Sequence, residues 1–153
     1  MANRYVSVRP AMFHAEVRDA EFARADLIFI DVDHSGATFE GRVFLNNTAA
    51  TEEVAKTPEN GYAGSFYVFG HGGCYGDKGH CDVQKVRRTN DFRDPSPLAP
   101  RNYTVIITDA LRRELLKGPE ISVTVVPVVM ASTEKCDLEN VLKFAGFEIL
   151  TYK

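Results

Sequence analysis

The residues best suited to chemistry are concentrated in one glycine-rich segment, residues 61–81. Seven of the chain's eleven glycines lie in it. The segment also holds four side chains that ligate metals well: His71, Cys74, His80 and Cys81. Because glycine lets a backbone fold tightly, these four side chains can converge on one ion. Imidazole nitrogen and thiolate sulfur are the ligands that zinc and cuprous copper prefer, so the segment is a candidate copper or zinc site.

The spacing of these four residues leaves a second interpretation open. The order His-x2-Cys-x5-His-Cys matches no standard zinc-finger pattern. A disulfide between Cys74 and Cys81 would close a short loop and contribute about 2 to 3 kcal/mol in an oxidising compartment. In the cytosol the same thiols would stay reduced, with glycine and histidine serving turns and hydrogen bonds.

Two other kinds of site use the same segment. A cysteine hydrolase would use Cys74 or Cys81 as the nucleophile and His71 or His80 as the base, with Asp77 or Asp82 orienting the histidine. A phosphate-binding loop is excluded. Tyr75 stands where the dinucleotide fingerprint needs glycine, and neither a Gly-Lys-Ser/Thr run nor a following helix is present.

A second polar segment, residues 31–36, superficially copies the opening of a calcium-binding EF-hand loop. The twelfth position of that loop is Arg42 instead of the glutamate that binds calcium through both oxygens, and the flanks are typical of strands. A polar hairpin turn is the better interpretation. Two histidines outside the glycine-rich segment, His14 and His34, have no evident partners and are expected to be surface or turn residues.

The whole chain has the composition of one folded domain. Its 153 residues include 44% hydrophobic and 25% charged residues, with a mean hydropathy of −0.19. Eighteen basic against 21 acidic residues leave a net charge of −3, which argues against a nucleic-acid partner. No run approaches the roughly 20 apolar residues of a membrane span, and residues 1–10 lack the apolar core of a signal peptide. We therefore expect a cytoplasmic protein with no membrane partner.

The elements that must position these residues are mostly strands. Six runs rich in valine, isoleucine, phenylalanine and tyrosine predict strands over residues 25–32, 38–46, 64–69, 103–107, 121–129 and 141–152. The turn-like residues 34–36 predict that the first two strands form a hairpin. The pattern predicts an all-β fold, a mainly antiparallel β-sandwich of the jelly-roll or Greek-key kind.

One short helix is predicted over residues 108–117. Thr108 is a suitable N-cap, Asp109 suits the positive N-terminal end, and Gly118 followed by Pro119 ends the helix. Residues 94–100 contain three prolines and predict an extended crossing loop. We expect a single domain over residues 1–153, with an N-terminal arm at 1–24 and a long glycine- and proline-rich loop at 70–101.

The order of motifs resembles the C-terminal β-sandwich domain of plant polyphenol oxidases and bacterial tyrosinase-like proteins, which is named for a Lys-Phe-Asp-Val run. Residues 39–46 correspond to that run and its flanks, although here the run reads Arg-Val-Phe-Leu. Residues 63–66, followed by Gly70 and His71, are similar to the family's Ala-Gly-Ser-Phe strand that leads to a histidine. Residues 108–111 resemble the start of its short helix, and residues 123–127 its Val-Thr-Leu-Val-Pro strand.

The resemblance implies an accessory role and not an oxidase. In that family six histidines on a separate helical domain hold two copper ions, whereas this chain has four histidines in all. The family's sandwich domain packs over the copper site of the latent enzyme and excludes substrate. The resemblance therefore implies a non-catalytic domain that covers or assists a tyrosinase-like dicopper partner. Its partner-facing candidates are the aromatic residues near the glycine-rich segment: Tyr62, Tyr67 and Tyr75.

Two other classes of function remain open at this point. The first is a metal-binding protein that uses the Cys/His segment 71–81 to hold copper or zinc. If its four ligands face one another, the domain can pass cuprous copper to a partner. The second is a self-assembling structural subunit, because sandwiches with exposed edge strands pair readily and form homo-oligomers.

Overall fold

The computed structural model describes residues 3–15, 21–71, 89–90, 99–130 and 139–153. The strands in these ranges are β1 (Tyr5–Val6), β2 (Ala11–Met12), β3 (Arg24–Val32), β4 (Phe39–Leu45), β5 (Tyr62–Val68), β6 (Arg101–Ile106), β7 (Glu120–Ile121), β8 (Val123–Val129) and β9 (Gly146–Tyr152). A helix, α1, spans Thr108–Leu115, and a 3₁₀ turn spans Pro58–Asn60.

The strands form three antiparallel groups. A four-stranded sheet has the order β1-β8-β4-β5, a three-stranded sheet has the order β6-β3-β9, and β2 pairs with β7. Strands β3, β4 and β8 carry most of the pairing because each has a neighbouring strand on both sides. The sequence prediction of an all-β, mainly antiparallel fold with a short helix is confirmed.

The predicted hairpin between the first two long strands is wrong. Strand β3 pairs with β6 and β9, whereas β4 pairs with β5 and β8 in the other large sheet. Residues 33–38 therefore carry the chain from one sheet to the other. The alternation of side chains that marks a strand is a local property, and it does not say which strand will be the neighbour.

The core lies between the two large sheets and is rich in aromatic rings. On β4 the alternate residues Phe39, Val43 and Leu45 face it and are fully buried. Phe66 of β5 packs against Phe29 of β3, with ring centroids 4.7 Å apart. A smaller cluster on the opposite face of the four-stranded sheet joins Phe44, Ala50 and Val126.

Helix α1 closes one side of the core with its apolar face. Ala110, Leu111 and Leu115 are buried, whereas Leu116, just past the helix, is 89% exposed. The prediction that Thr108 caps this helix is wrong, because Ile107 occupies the N-cap position. The hydroxyl of Thr108 instead accepts a hydrogen bond from the backbone N–H of Ala25 at 3.0 Å. It thereby ties the helix to the start of β3.

The described part of the N-terminal arm contributes β1 and β2 to the sheets. Tyr5 of β1 lies opposite Val125 of β8, and its ring packs edge-on against Phe144 at 4.8 Å. The predicted extended loop at 94–100 lies outside the described residues except for Ala99 and Pro100. In the described ranges, no helix has the length and apolar character needed to cross a membrane.

Candidate functional site

Of the four residues predicted to bind metal, the structure describes His71. Cys74, His80 and Cys81 lie outside the described residues, so both the metal site and the Cys74–Cys81 disulfide stay predictions. The same holds for Asp77 and Asp82, which the cysteine-hydrolase alternative needs. The described part of the predicted site therefore consists of His71 and the segments that contact it.

His71 is positioned by the end of β5 and by the segment that links β3 to β4. The backbone N–H of Gly70 donates to the hydroxyl of Thr38 at 3.0 Å, and that of His71 donates to the carbonyl oxygen of His34 at 3.0 Å. A Cβ atom on Gly70 would lie inside 3.0 Å of the backbone of Gly36 and Ala37. The close approach of these two backbones therefore requires glycine at position 70.

The prediction that His34 lacks a partner is wrong. Its side chain is buried, with only 3% of the residue exposed. Its Nε2 lies 2.8 Å from the carbonyl oxygen of Ala99, and its Nδ1 lies 3.2 Å from Nδ1 of His71. The two rings meet edge to face with their centroids 5.0 Å apart. The sequence carried no signal for this pair, because the two histidines are 37 positions apart and lie in different predicted elements.

The other sequence-predicted polar positions have structural roles. His14 is exposed, which agrees with a surface histidine. Asp33 accepts hydrogen bonds from the backbone N–H and the hydroxyl of Ser35 at 2.8 and 2.7 Å, as in a polar turn. Arg42, at the twelfth position of the calcium-like pattern, lies on β4 in the other sheet and pairs with Glu40 at 3.0 Å. Among the described residues no group of three histidine, cysteine or carboxylate side chains is placed to hold a metal ion.

The two described tyrosines of the partner-facing prediction have different surroundings. Tyr62 packs edge-on against Phe44 with ring centroids 5.7 Å apart, and so supports the smaller apolar cluster. Tyr67 is 63% exposed on β5. Tyr75 lies outside the described residues. Of the described pair, Tyr67 is the residue presented to solvent.

Two further exposed apolar residues lie at the same end of the four-stranded sheet as Tyr67. Val68 and Val129 both pair with Phe39, so the next residues, Phe69 and Met130, flank Thr38 on either side. Phe69 is 79% exposed and Met130 is 54% exposed. We call the surface formed by Tyr67, Phe69 and Met130 the outer face. The sequence run Phe-Tyr-Val-Phe carried a signal for it, because a strand that is apolar at every position has apolar side chains on both faces.

A buried carboxylate lies at the centre of the polar contacts on the same side of the four-stranded sheet. Glu40 on β4 is 7% exposed. One of its oxygens accepts hydrogen bonds from the hydroxyl of Ser65 at 2.7 Å and from Nζ of Lys56 at 3.0 Å. Its other oxygen accepts from Nε of Arg42 at 3.0 Å. The Glu40 carboxylate therefore joins strand β4, strand β5 and the loop between them.

The electrostatics of this cluster favour the ionised form of Glu40. Burial alone would raise the pKa of its carboxyl, but hydrogen bonds from Ser65, Lys56 and Arg42, with the nearby Arg42 charge, outweigh burial and lower the pKa to about 2. The hydrogen bond to Glu40 and the negative charge of Glu40 raise the pKa of Lys56. Because the donors hold the carboxylate ionised, it is a poor proton acceptor, so the cluster is suited to fixing the sheet and not to acid–base catalysis.

Comparison with known proteins gives a fold relationship. No family model matches the chain, and no curated protein matches it. It is similar to the solved structure of recombinant latent aurone synthase (polyphenol oxidase), co-crystallized with hexatungstotellurate(VI) and soaked in H2O2. The TM-score is 0.50 at 19% sequence identity. The same protein expressed recombinantly without those additions gives 0.49 at 20%, and the protein from natural source gives 0.48 at 20%.

The extent of these matches is uneven between the two proteins. Each covers 98% of this chain but only 24% of the polyphenol oxidase chain. This chain therefore spans about a quarter of the length of the solved structures that it matches. Almost the whole described fold has a counterpart in part of a larger protein.

Proposed function

We propose that this chain is a non-catalytic accessory domain that covers the active site of a tyrosinase-like dicopper oxidase. The observation that carries the proposal is the extent of the fold match: 98% of this chain against 24% of a latent polyphenol oxidase. A fold that accounts for a quarter of such an enzyme is expected to assist the remainder and not to replace it. The motif resemblance along residues 39–127 supports the same assignment.

The chain's own residues also favour a covering role over an oxidase role. It contains four histidines, and two of them, His34 and His71, contact each other through their rings. A pair of copper ions each held by three imidazoles needs six histidines. The oxidase chemistry must therefore belong to another polypeptide segment or chain.

The outer face is the surface that suits the role of a cover. Tyr67, Phe69 and Met130 present two aromatic rings and a thioether to solvent at one end of the four-stranded sheet. Aromatic and methionine side chains are enriched at protein interfaces. Aromatic rings bury much apolar area with little loss of conformational freedom, and the flexible methionine side chain adapts to an irregular partner surface. We propose that this face contacts the partner around the entrance to its copper site.

The test is an activity assay with a tyrosinase-like oxidase from the same organism, purified in active form. Added chain is expected to inhibit phenol oxidation in a saturable way, while the chain alone oxidises no phenol. Phe69→Asp is expected to weaken the inhibition at least tenfold. Leu116→Asp is the matched control, since Leu116 is 89% exposed but follows helix α1 instead of lying on the outer face.

Two results would overturn the proposal. The first is unchanged phenol oxidation at saturating concentrations of a chain that circular dichroism shows to be folded. The second is a genome of origin that encodes no protein with the histidines of a dicopper centre. Equal inhibition by the wild type and Phe69→Asp would refute the role of the outer face. The chain would then cover the oxidase through a different surface.

A further inference from the structure

We propose that Nδ1 of His34 and Nδ1 of His71 together bind one zinc or cuprous ion. This site does not rest on the proposed covering function, and it adds a buried ligand, His34, that the glycine-rich segment does not contain. Three features support it: the distance between the two ring nitrogens, the hydrogen bond on the far side of His34, and the backbone contacts that fix His71.

The separation of the two nitrogens matches a shared metal ion. Two imidazole nitrogens at about 2.0 to 2.1 Å from an ion, at a roughly tetrahedral angle, lie about 3.3 Å apart. The observed Nδ1–Nδ1 distance is 3.2 Å. The ring centroids are 5.0 Å apart, so the rings do not stack, and the two Nδ1 atoms lie closer to each other than the ring centres do. Each ring therefore presents its Nδ1 atom at a ligand-like distance from the other.

The hydrogen bond to Ala99 fixes the protonation of the His34 ring. A carbonyl oxygen only accepts, so the Nε2 atom at 2.8 Å from it must carry the proton. In the neutral ring, Nδ1 is then unprotonated and presents its lone pair toward His71. A histidine that ligates a metal through one nitrogen commonly donates the other N–H to a backbone carbonyl in this way. His34 is thus already in the tautomer that a metal ligand needs.

The surroundings of His71 allow it to complete the pair. In the metal-free state its Nδ1–H lies between His34 Nδ1 at 3.2 Å and the His34 carbonyl oxygen at 3.3 Å. That carbonyl oxygen already accepts from the His71 backbone N–H at 3.0 Å, so it stays satisfied if the ring contact is lost. Binding requires only that the His71 ring proton move from Nδ1 to Nε2, and no electron transfer is involved. His71 is half-buried and gives the ion a route to the otherwise buried His34.

The pair is best suited to an ion of borderline or soft character. Imidazole is a poor ligand for calcium and magnesium, which take oxygen ligands, and a good one for zinc and copper. Asp33, the carboxylate one residue from His34, accepts from Ser35. Within the described ranges the pair therefore supplies two ligands, and water can fill further positions around the ion.

The experiment is a Zn²⁺ titration of the full chain by isothermal titration calorimetry, with ¹⁵N spectra of the histidine rings recorded in parallel. We expect Zn²⁺ to shift the Nδ1 resonances of His34 and His71. His34→Gln is expected to lower the affinity by at least about tenfold. The glutamine amide nitrogen reaches the position of Nε2 and can still donate to Ala99, so this variant removes the ligand atom while it keeps the buried hydrogen bond. His14→Gln, at an exposed histidine, is the matched control and should leave the affinity unchanged.

The inference is overturned if His34→Gln binds Zn²⁺ as tightly as the wild type, because the ion would then be held without His34. It is also overturned if Zn²⁺ leaves both Nδ1 resonances in place. Should His34→Gln fail to fold, the ring spectra of the wild type decide the question, and the half-buried His71→Gln provides the second variant. Folding of each variant is checked by thermal unfolding in the absence of metal.

Discussion

The ring of Phe66 lies directly against Gly41, its partner across the β4–β5 pair. A Cβ atom on Gly41 would stand inside 3.0 Å of three atoms of that ring. Phe66 also packs against Phe29 and Tyr103, with ring centroids 4.7 and 5.5 Å away, so it has little room to retreat. The absence of a side chain at position 41 therefore determines where the central aromatic ring of the core sits.

Replacement of this glycine is the first prediction. Gly41→Ala should lower the free energy of unfolding by about 1 to 3 kcal/mol, because the added methyl group forces the Phe66 ring out of a packed position. The measurement is urea denaturation followed by circular dichroism. Gly146→Ala is the matched control, since Gly146 also lies in a strand and has no atom within 4 Å of the added carbon. Equal stabilities of the two variants would contradict this account of the core.

The Glu40 cluster predicts a pH dependence of stability. The folded-state pKa of Glu40 is lowered to about 2 from 4.5, so the unfolded chain binds the proton more readily. The stabilisation is therefore fully present above the unfolded-state value and is lost as the pH falls from about 5 toward 2. We expect Glu40 to account for about 2 to 3 kcal/mol of that loss.

The variant Glu40→Gln isolates this contribution. It should be less stable than the wild type at pH 7 and should lose less stability between pH 5 and pH 3. The exposed Glu53→Gln is the control and should retain the wild-type slope. Chemical denaturation at a series of pH values measures the difference, and parallel curves for Glu40→Gln and the wild type would refute the assignment.

Helix α1 offers a pair of leucines that tests what anchors it to the core. Leu111 is fully buried, whereas Leu116 is 89% exposed. Leu111→Ala should cost about 2 to 5 kcal/mol of stability through the lost contacts and the cavity that remains. Leu116→Ala should change stability by no more than about 0.5 kcal/mol. Thermal unfolding of the two variants is the measurement, and similar losses would show that the helix is not held by its apolar face.

The last prediction concerns the backbone contact that holds His71. Gly70→Ala should destabilise the fold by about 1 to 3 kcal/mol, because its Cβ would lie too close to the backbone of Gly36 and Ala37, which cannot rotate away. The ¹⁵N resonances of His71 and His34 should shift as their contact is lost. Gly36→Ala, where the added carbon meets nothing within 4 Å, should leave both unchanged. An unaltered His34–His71 contact in Gly70→Ala would contradict this role of the glycine.

The chain's local patterns were sufficient for the fold class. Runs of valine, isoleucine and aromatic residues predict strands because branched and flat side chains pack well on a pleated surface. These runs overlap β3 to β6, β8 and β9, although the last strand begins at Gly146 and not at residue 141. The charges and leucines of residues 108–117 predict α1 for a similarly local reason. The exposure of His14 was also predicted correctly, because it depends on neighbours within a few positions. The polar residues 33–36 form no hairpin, because they link two different sheets.

Only the tertiary structure decided which strands are neighbours and which polar side chains meet. Strands β3 and β4 lie in different sheets because that arrangement buries the apolar faces of all the strands at once. A short stretch of sequence does not contain this information, since it depends on the packing of the whole chain. His34 and His71 meet across 37 positions, and Ser65 reaches Glu40 across 25, because folding brings their strands and loops together. The sequence by itself determined the elements and the residue types available for chemistry. Their contacts were decided by long-range packing, in which every part of the chain competes for the same core.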